Sequence, residues 1–204
     1  MTKVAIIGAG GHTRSSLNLL LTNYREADVC IYDDSFGEEQ EERIHSIPVI
    51  GNINEIDLNQ KVFLSIGDNS IRKRYFLKFK DQIIKDNLLH KTSLQETNVT
   101  FGIANQVYAN SYINSEVVIG DNNIINTGVI LEHEVMVGNH NHISVGAKVC
   151  GRSKIGNKCL IGADTVIADR LTICDNVLIG AGTVVVADIN EPGTYVGNPA
   201  KRIK

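Results

Sequence analysis

Ile143-Ser144-Val145-Gly146-Ala147-Lys148-Val149-Cys150-Gly151-Arg152-Ser153-Lys154-Ile155 carries an aliphatic residue at every sixth place, and the spacing continues beyond both ends. Before this stretch the frame holds Val107, Ile113, Ile119, Ile125, Leu131 and Val137; after it come Ile161, Ile167, Ile173, Ile179 and Val185. These fourteen positions contain no polar residue and no shift of frame. A helix needs period 3.6 and a half-exposed strand period 2, so neither accounts for the pattern. A short fixed period predicts stacked coils, each burying its apolar edge against its neighbours. The place two residues earlier is often small, as at Ser111, Ala147, Ser153, Cys159, Thr165 and Thr183. Glycine follows the aliphatic residue at Gly120, Gly138, Gly156, Gly162 and Gly180, where positive φ at a corner would suit it. The expectation is a β-solenoid.

The rest of the composition mainly excludes. A length of 204 suggests one or two domains. A net charge of −3 argues against nucleic acid or a membrane surface as main partner. The opening Met1-Thr2-Lys3-Val4-Ala5-Ile6-Ile7-Gly8 lacks a signal-peptide design, and no apolar run is long enough to span a bilayer. Cys30, Cys150, Cys159 and Cys174 form no CxxC pair and fit no zinc spacing, which suggests free thiols in a cytoplasmic protein.

Near residue 95 the pattern changes, giving expected domains at 1–94 and 95–204. In the first, strands are expected at Val4–Ile7, Val29–Tyr32 and Val62–Ile66, with a short extended piece at Pro48–Gly51. Helices are expected at Thr13–Asn23, with Leu17, Leu20 and Leu21 on one face, and from Ile71 to about Asp86. The second has Ile71, Tyr75, Phe76, Phe79 and Ile83 spaced for burial. Alternating strands and helices predict a small parallel α/β sheet, a half-Rossmann unit. His90-Lys91-Thr92-Ser93 reads as the passage into the solenoid.

Two constellations carry chemistry. Gly8-Ala9-Gly10-Gly11-His12 follows the first strand and enters a helix, but the third glycine of a dinucleotide fingerprint falls on Thr13. A glycine turn at a helix start still suits a phosphate. Asp33 and Asp34 end the next strand, where carboxylates accept from sugar hydroxyls or base N–H groups; Gly67 follows the third strand at the same carboxyl edge. The reading is a mononucleotide site; its plainer rival is a tight turn beside a solvated loop. The second constellation is Glu132-His133-Glu134 with His142. An imidazole beside a carboxylate suits a general base, although Glu134 reaches the ring only if the backbone bends at a corner. The rivals are a surface ion pair, or metal ligation by His133, His140 and His142, whose spacings do not favour zinc.

The motifs together carry a resemblance. They are Gly8-Ala9-Gly10-Gly11-His12, Tyr32-Asp33-Asp34, Ser65-Ile66-Gly67-Asp68-Asn69 with Ile71-Arg72, Asn126-Thr127, Glu132-His133-Glu134, His142-Ile143-Ser144-Val145-Gly146-Ala147 and Val196-Gly197-Asn198-Pro199-Ala200-Lys201. The chain resembles the hexapeptide-repeat sugar O- and N-acyltransferases of bacterial polysaccharide, O-antigen and glycan synthesis. In these a nucleotide-sugar-binding α/β domain precedes a left-handed parallel β-helix. The resemblance implies rather more than four coils, a homotrimer with sites between subunits, and acetyl-CoA as cosubstrate without a metal. It implies acetylation of the 4-amino group of a UDP- or dTDP-linked 4-amino-4,6-dideoxy sugar; the alternative is O-acetylation of sialic acid or a related sugar. A non-catalytic scaffold and a solenoid metalloenzyme stand further off. By the same resemblance His133 is the base and Glu134 orients it. Gly151 supplies an oxyanion-stabilising N–H; His142, Gly151, Ala163 and Ala181 line the coenzyme A site. Gly10, Gly11, His12, Asp33, Asp34 and Gly67 hold the nucleotide sugar. Lys158, Lys201 and Arg202 are candidates for the coenzyme phosphates by charge. Cys150 is the rival nucleophile, and Cys159 reads as packing.

Overall fold

The computed structural model describes residues 2–35 and 43–204. The chain divides into two compact units, Met1–Lys85 and Asp86–Lys204. That division precedes the expected 94/95 boundary because Leu88–Leu89 already pairs in register with Gln106–Val107. His90–Ser93 thus lies inside the first coil, not ahead of it.

In the first unit a three-stranded parallel sheet has the order β2-β1-β5, with β1 Lys3–Ile7, β2 Asp28–Tyr32 and β5 Lys61–Leu64. A small antiparallel pair, β3 Arg43–Ile44 and β4 Ile47–Pro48, lies between β2 and β5 in sequence. Val4, Ala5, Ile6 and Ile7 are fully buried, as a central strand covered on both faces requires. Helix α1 spans Gly11–Asn23 and buries Leu17, Leu19 and Leu20, so Leu19 takes the buried place expected of Leu21. Helix α2 spans Asn69–Lys78 and stops well short of Asp86. It begins where Asp68 accepts from the Ser70 and Ile71 N–H groups. It ends because the following segment serves the free edge of β5: Val62 donates to the Gln82 carbonyl, and Ile84 donates to that of Val62. Ile83 is therefore buried as an edge residue, while Ile71, expected inside, is exposed.

The second unit is a parallel β-helix of about six turns. The turns beyond the four and more expected come from irregular rungs at both ends: Leu88–Leu89, Leu94–Gln95 and Thr100–Phe101 before Val107, where Gln95 breaks the aliphatic series, and Gly193–Val196 after Val185. Each rung pairs with the one eighteen residues on, as Ile113 with Leu131, Ile119 with Val137, and Ile125 with Ile143. All fourteen residues of the series are buried, none more than 3% exposed. At about 1.5–3 kcal/mol for each buried aliphatic side chain, this column dominates the stabilisation.

The small inward slot does a second job. Ser111, Ser153 and Thr165 donate to carbonyls fifteen residues on, at Asn126, Ala168 and Gly180. Where the slot is asparagine, the chain builds a ladder. Asn87 Oδ1 accepts from Asn105 N, Asn105 Oδ1 from Asn123 N, Asn123 Oδ1 from Asn141 N, and Asn141 Oδ1 from Cys159 N. Such bonds contribute about 1 kcal/mol net each, but an unpaired amide there would be costly, so the ladder fixes register more than it adds stability.

Positive φ recurs every six residues at a different corner place from the one expected. It falls at Asn110, Glu116, Asn122, Gly128, Glu134, His140 and Gly146, and continues to Asn176 and Gly182. Gly120, Gly138 and Gly156 have ordinary φ. They are glycine because a Cβ would strike the next coil: at Gly138 it would lie 2.6 Å from the Gly156 carbonyl oxygen.

Candidate active site

Gly10, Gly11, His12, Asp33, Asp34 and Gly67 all line one cavity of about 510 Å³ in the first unit, at the carboxyl edge of the sheet. Gly8 lets the turn close: at φ 110° its absent Cβ would meet the Ser65 carbonyl oxygen at 2.6 Å. Thr13, standing where a dinucleotide turn has its third glycine, is buried and donates its hydroxyl to the Gly8 carbonyl at 2.7 Å. At Gly10 and Gly11, by contrast, a Cβ would meet nothing within 4 Å. Helix α1 starts there without a side-chain cap and without an acid in its first turn, which leaves its positive end toward the cavity.

The two aspartates are bound into the site, not loose in solvent. Asp33 Oδ2 accepts from Ala9 N at 2.7 Å, and its Oδ1 from the Ser35 backbone and hydroxyl. Asp34 Oδ1 accepts from Ile53 N at 2.7 Å, and its Oδ2 meets the Tyr75 hydroxyl at 3.5 Å. Asp33 mainly holds the glycine turn, so Asp34 has more acceptor capacity left for a ligand. Ser65, the first residue of the third motif, also lines the cavity, as do Arg74 and Tyr75, which sequence reasoning did not place there. Arg74 lies over the Tyr75 ring at 4.8 Å.

In the β-helix, His133 and Glu134 meet. Glu134 sits at φ 60°, the bent corner that neighbouring residues need to face each other. His133 Nδ1 is 3.1 Å from Glu134 Oε2, and Arg152 Nε donates to the same oxygen at 2.8 Å. The hydrogen bond from His133, then the Arg152 guanidinium, hold the Glu134 carboxyl below its ordinary range. An ionised carboxylate only accepts, so Nδ1 carries a proton; in the neutral ring Nε2 is then the nitrogen with the lone pair. That nitrogen leans over Gly151, one coil on: a Cβ there would lie 2.6 Å from both Nε2 and Cε1. The Gly151 N–H has no acceptor among the described residues.

His140 and His142 serve other neighbours. His140 Nδ1 shares a hydrogen bond with Asn122 at 2.9 Å, and His142 Nε2 with Asn126 at 3.2 Å. Among the described residues no three His, Cys, Asp or Glu are grouped to hold a metal. Ala163 and Ala181 occupy the same corner on successive coils, joined through Gly182 N donating to the Ala163 carbonyl. Arg202 is committed to Glu191 and to the Pro192 carbonyl.

The family described as "PglD N-terminal domain" matches residues 3–79, and "Bacterial transferase hexapeptide (six repeats)" matches residues 152–187. Two solved structures are similar over the whole chain. The acetyltransferase domain of PglB from Neisseria gonorrhoeae FA1090 is 27% identical, with TM-score 0.86 and 100% of each chain covered. PerB from Caulobacter crescentus, in complex with CoA and GDP-perosamine, is 27% identical, with TM-score 0.87, covering 100% of this chain and 98% of that one. The chain is thus similar along its whole length to hexapeptide-repeat acetyltransferases that act on sugars. The Neisseria domain is also known in complex with acetyl coenzyme A, at 28% identity, TM-score 0.84 and 98% coverage of both chains. No curated protein matches the chain.

For an acyltransferase the cysteines matter as possible nucleophiles. Burial, helped by Asp169 and Glu132, pushes the Cys150 thiol up, and burial pushes Cys159 to about 11. Both shifts disfavour the thiolate that covalent catalysis needs. Cys159 instead occupies the inward slot, its Sγ donating to the Cys174 carbonyl where an asparagine would place its amide. No helix among the described residues is long and apolar enough to cross a membrane.

Proposed function

We propose that the chain transfers the acetyl group of acetyl-CoA to the 4-amino group of a nucleotide-linked 4-amino-4,6-dideoxy sugar, by direct attack with His133 as general base. One observation carries this reading: Nδ1 of His133 is engaged by a pinned carboxylate while Nε2 faces a coil position with an unengaged N–H. The amine nitrogen attacks the thioester carbonyl carbon as Nε2 takes its proton. The oxyanion that forms is stabilised by the Gly151 N–H. Collapse breaks the C–S bond, and the imidazolium returns the proton to the departing thiolate, giving free coenzyme A and the amide.

The acyl donor is supported by the coenzyme bound in both neighbours, and the acceptor class by the GDP-perosamine in the Caulobacter protein. In the acceptor site Gly10, Gly11 and His12 take the diphosphate at the start of α1. Asp34, with Asp33 and Gly67, takes the nucleoside or sugar hydroxyls. His142, Ala163 and Ala181 line the path of the coenzyme, with Lys158 and Lys201 for its phosphates. The working form is a cytoplasmic homotrimer with this path between subunits.

The test is release of coenzyme A thiol from acetyl-CoA with UDP-, dTDP- and GDP-linked 4-amino-4,6-dideoxy sugars offered side by side. Turnover on a UDP or dTDP sugar supports the expected nucleotide, and turnover on the GDP sugar alone replaces it. A folded protein that binds acetyl-CoA yet acetylates none of them overturns the amino-sugar assignment in favour of a sugar hydroxyl.

A further inference from the structure

The corner that carries His133 has a third member, Arg152, which no motif singled out. Its Nε and His133 Nδ1 converge on one oxygen of Glu134, at 2.8 and 3.1 Å. Its backbone N–H donates to the His133 carbonyl at 2.9 Å, so the guanidinium is anchored to the residue whose partner it holds. As an ion pair alone this contact would be worth little, since the Arg152 and Glu134 side chains are 48% and 42% exposed. Its significance lies in where the shared oxygen is. A glutamate held by one bond can swing on its side-chain torsions; a second donor from the next coil removes that freedom.

Charge points the same way. Glu116, Glu134, Arg152 and Arg170 occupy one corner on four successive coils, each with φ near 60° (63°, 60°, 62° and 59°). Glu134 thus has a carboxylate on the coil before and a guanidinium on the coil after. Glu132, at the same corner, takes the Asn114 amide; Cys150 lies on the next coil; Asp169 and Arg170, one coil further, are 3.9 Å apart. Among the described residues Arg152 is the cation in contact with Glu134. Without it the uncompensated Glu134 carboxylate would favour the imidazolium, and a ring already protonated cannot accept a proton.

We propose that Arg152 is the positioning residue of the His133–Glu134 pair: it pins the carboxylate, holds the ring in the tautomer with Nε2 free, and offsets the negative charge beside the ring. The inference rests on His133 being the base. It is tested by kcat, KM and the pH profile of Arg152→Gln, Arg152→Lys, Glu134→Gln and the Arg152→Gln/Glu134→Gln pair, with His133→Ala alongside and melting temperature as the folding control.

Arg152→Gln is expected to lower kcat roughly tenfold, less than the ~10²–10⁴-fold of losing the base itself, with both KM values nearly unchanged. The acidic limb of its kcat/KM profile moves to higher pH. Arg152→Lys returns the limb toward its original position because the charge is kept. The double variant is no slower than Glu134→Gln, since Arg152 acts through Glu134. An unchanged kcat and limb in Arg152→Gln, or single losses that multiply in the double variant, overturns the proposal. If His133→Ala keeps its turnover, the base assignment itself falls. If it is inactive while Arg152→Gln is fully active, only the role of Arg152 falls.

Discussion

The two units use glycine for opposite reasons. In the N-terminal unit, Gly10 and Gly11 have open space where a side chain would stand, and that space belongs to the cavity. In the β-helix, Gly138 and Gly151 have theirs already taken, by the next coil's carbonyl and by the His133 ring. A glycine facing nothing, at ordinary φ, marks a place kept for something the chain does not itself supply. A glycine facing a packed atom marks the chain's own fit. The same residue type therefore reports ligand room in one unit and internal packing in the other, and substitutions at the two kinds should fail differently.

The largest effect is expected at the ring that fills the glycine space. His133→Ala should lower kcat by ~10²–10⁴-fold in the thiol-release assay while leaving the melting temperature close to the parent, because the side chain is half exposed. Near-normal turnover would mean the occupied space at Gly151 is packing and nothing more.

Gly138→Ala tests the filled kind away from the candidate site. Its new methyl meets the Gly156 carbonyl and Asn157 Oδ1 at 2.6 and 2.8 Å. A destabilisation of about 1–3 kcal/mol is expected in chemical denaturation, with KM unchanged in the folded protein. Gly11→Ala should do the reverse. Thermal stability is kept or raised by about 0.4–1 kcal/mol, since alanine suits a helix start better. The KM for the nucleotide sugar rises roughly tenfold, the equivalent of one good hydrogen bond to a charged group. A loss of stability without a KM change would show that the open space is accidental.

The smallest effect concerns the inward slot. Burial raises the Cys159 thiol to about 11 in the folded chain, from an ordinary 9.0. The neutral thiol therefore favours folding fully below about pH 9, and this contribution is lost as pH rises through 11. Cys159→Ser places there the residue found at Ser111 and Ser153. Its denaturation midpoint should fall less between pH 8 and 10 than the parent's; an equal fall would place the alkaline sensitivity elsewhere.

What the sequence made legible was whatever repeats within a few residues. The aliphatic series was readable because one residue in six must be apolar when three faces share one core, and all fourteen positions are buried. The corner at Glu134 was readable as a requirement, because adjacent residues meet only across a bend. Three things were hidden. The asparagines at 87, 105, 123 and 141 recur at the coil length, which is invisible until coils are known to hold eighteen residues. Arg152 is Glu134's neighbour for the same reason. The glycines were visible, but their reason was misread, since φ and crowding leave the same letter in the sequence. In the first unit the helical spacing of Phe79 and Ile83 was real, yet the unpaired edge of β5 claimed Ile83 for an extended segment.

The asparagine ladder also gives the β-helix a unit of growth. Each amide passes its bond to the residue eighteen places on, so a stretch can be added or removed only in whole coils if every donor is to find its acceptor. An insertion of any other length would leave a buried amide unanswered at the junction. Duplicating residues 105–122 would lengthen the prism by one storey and displace the His133 corner along it without altering a contact within that corner. The ladder is a ruler, and it lets evolution change the distance between the His133 corner and the ends of its prism in steps of one coil.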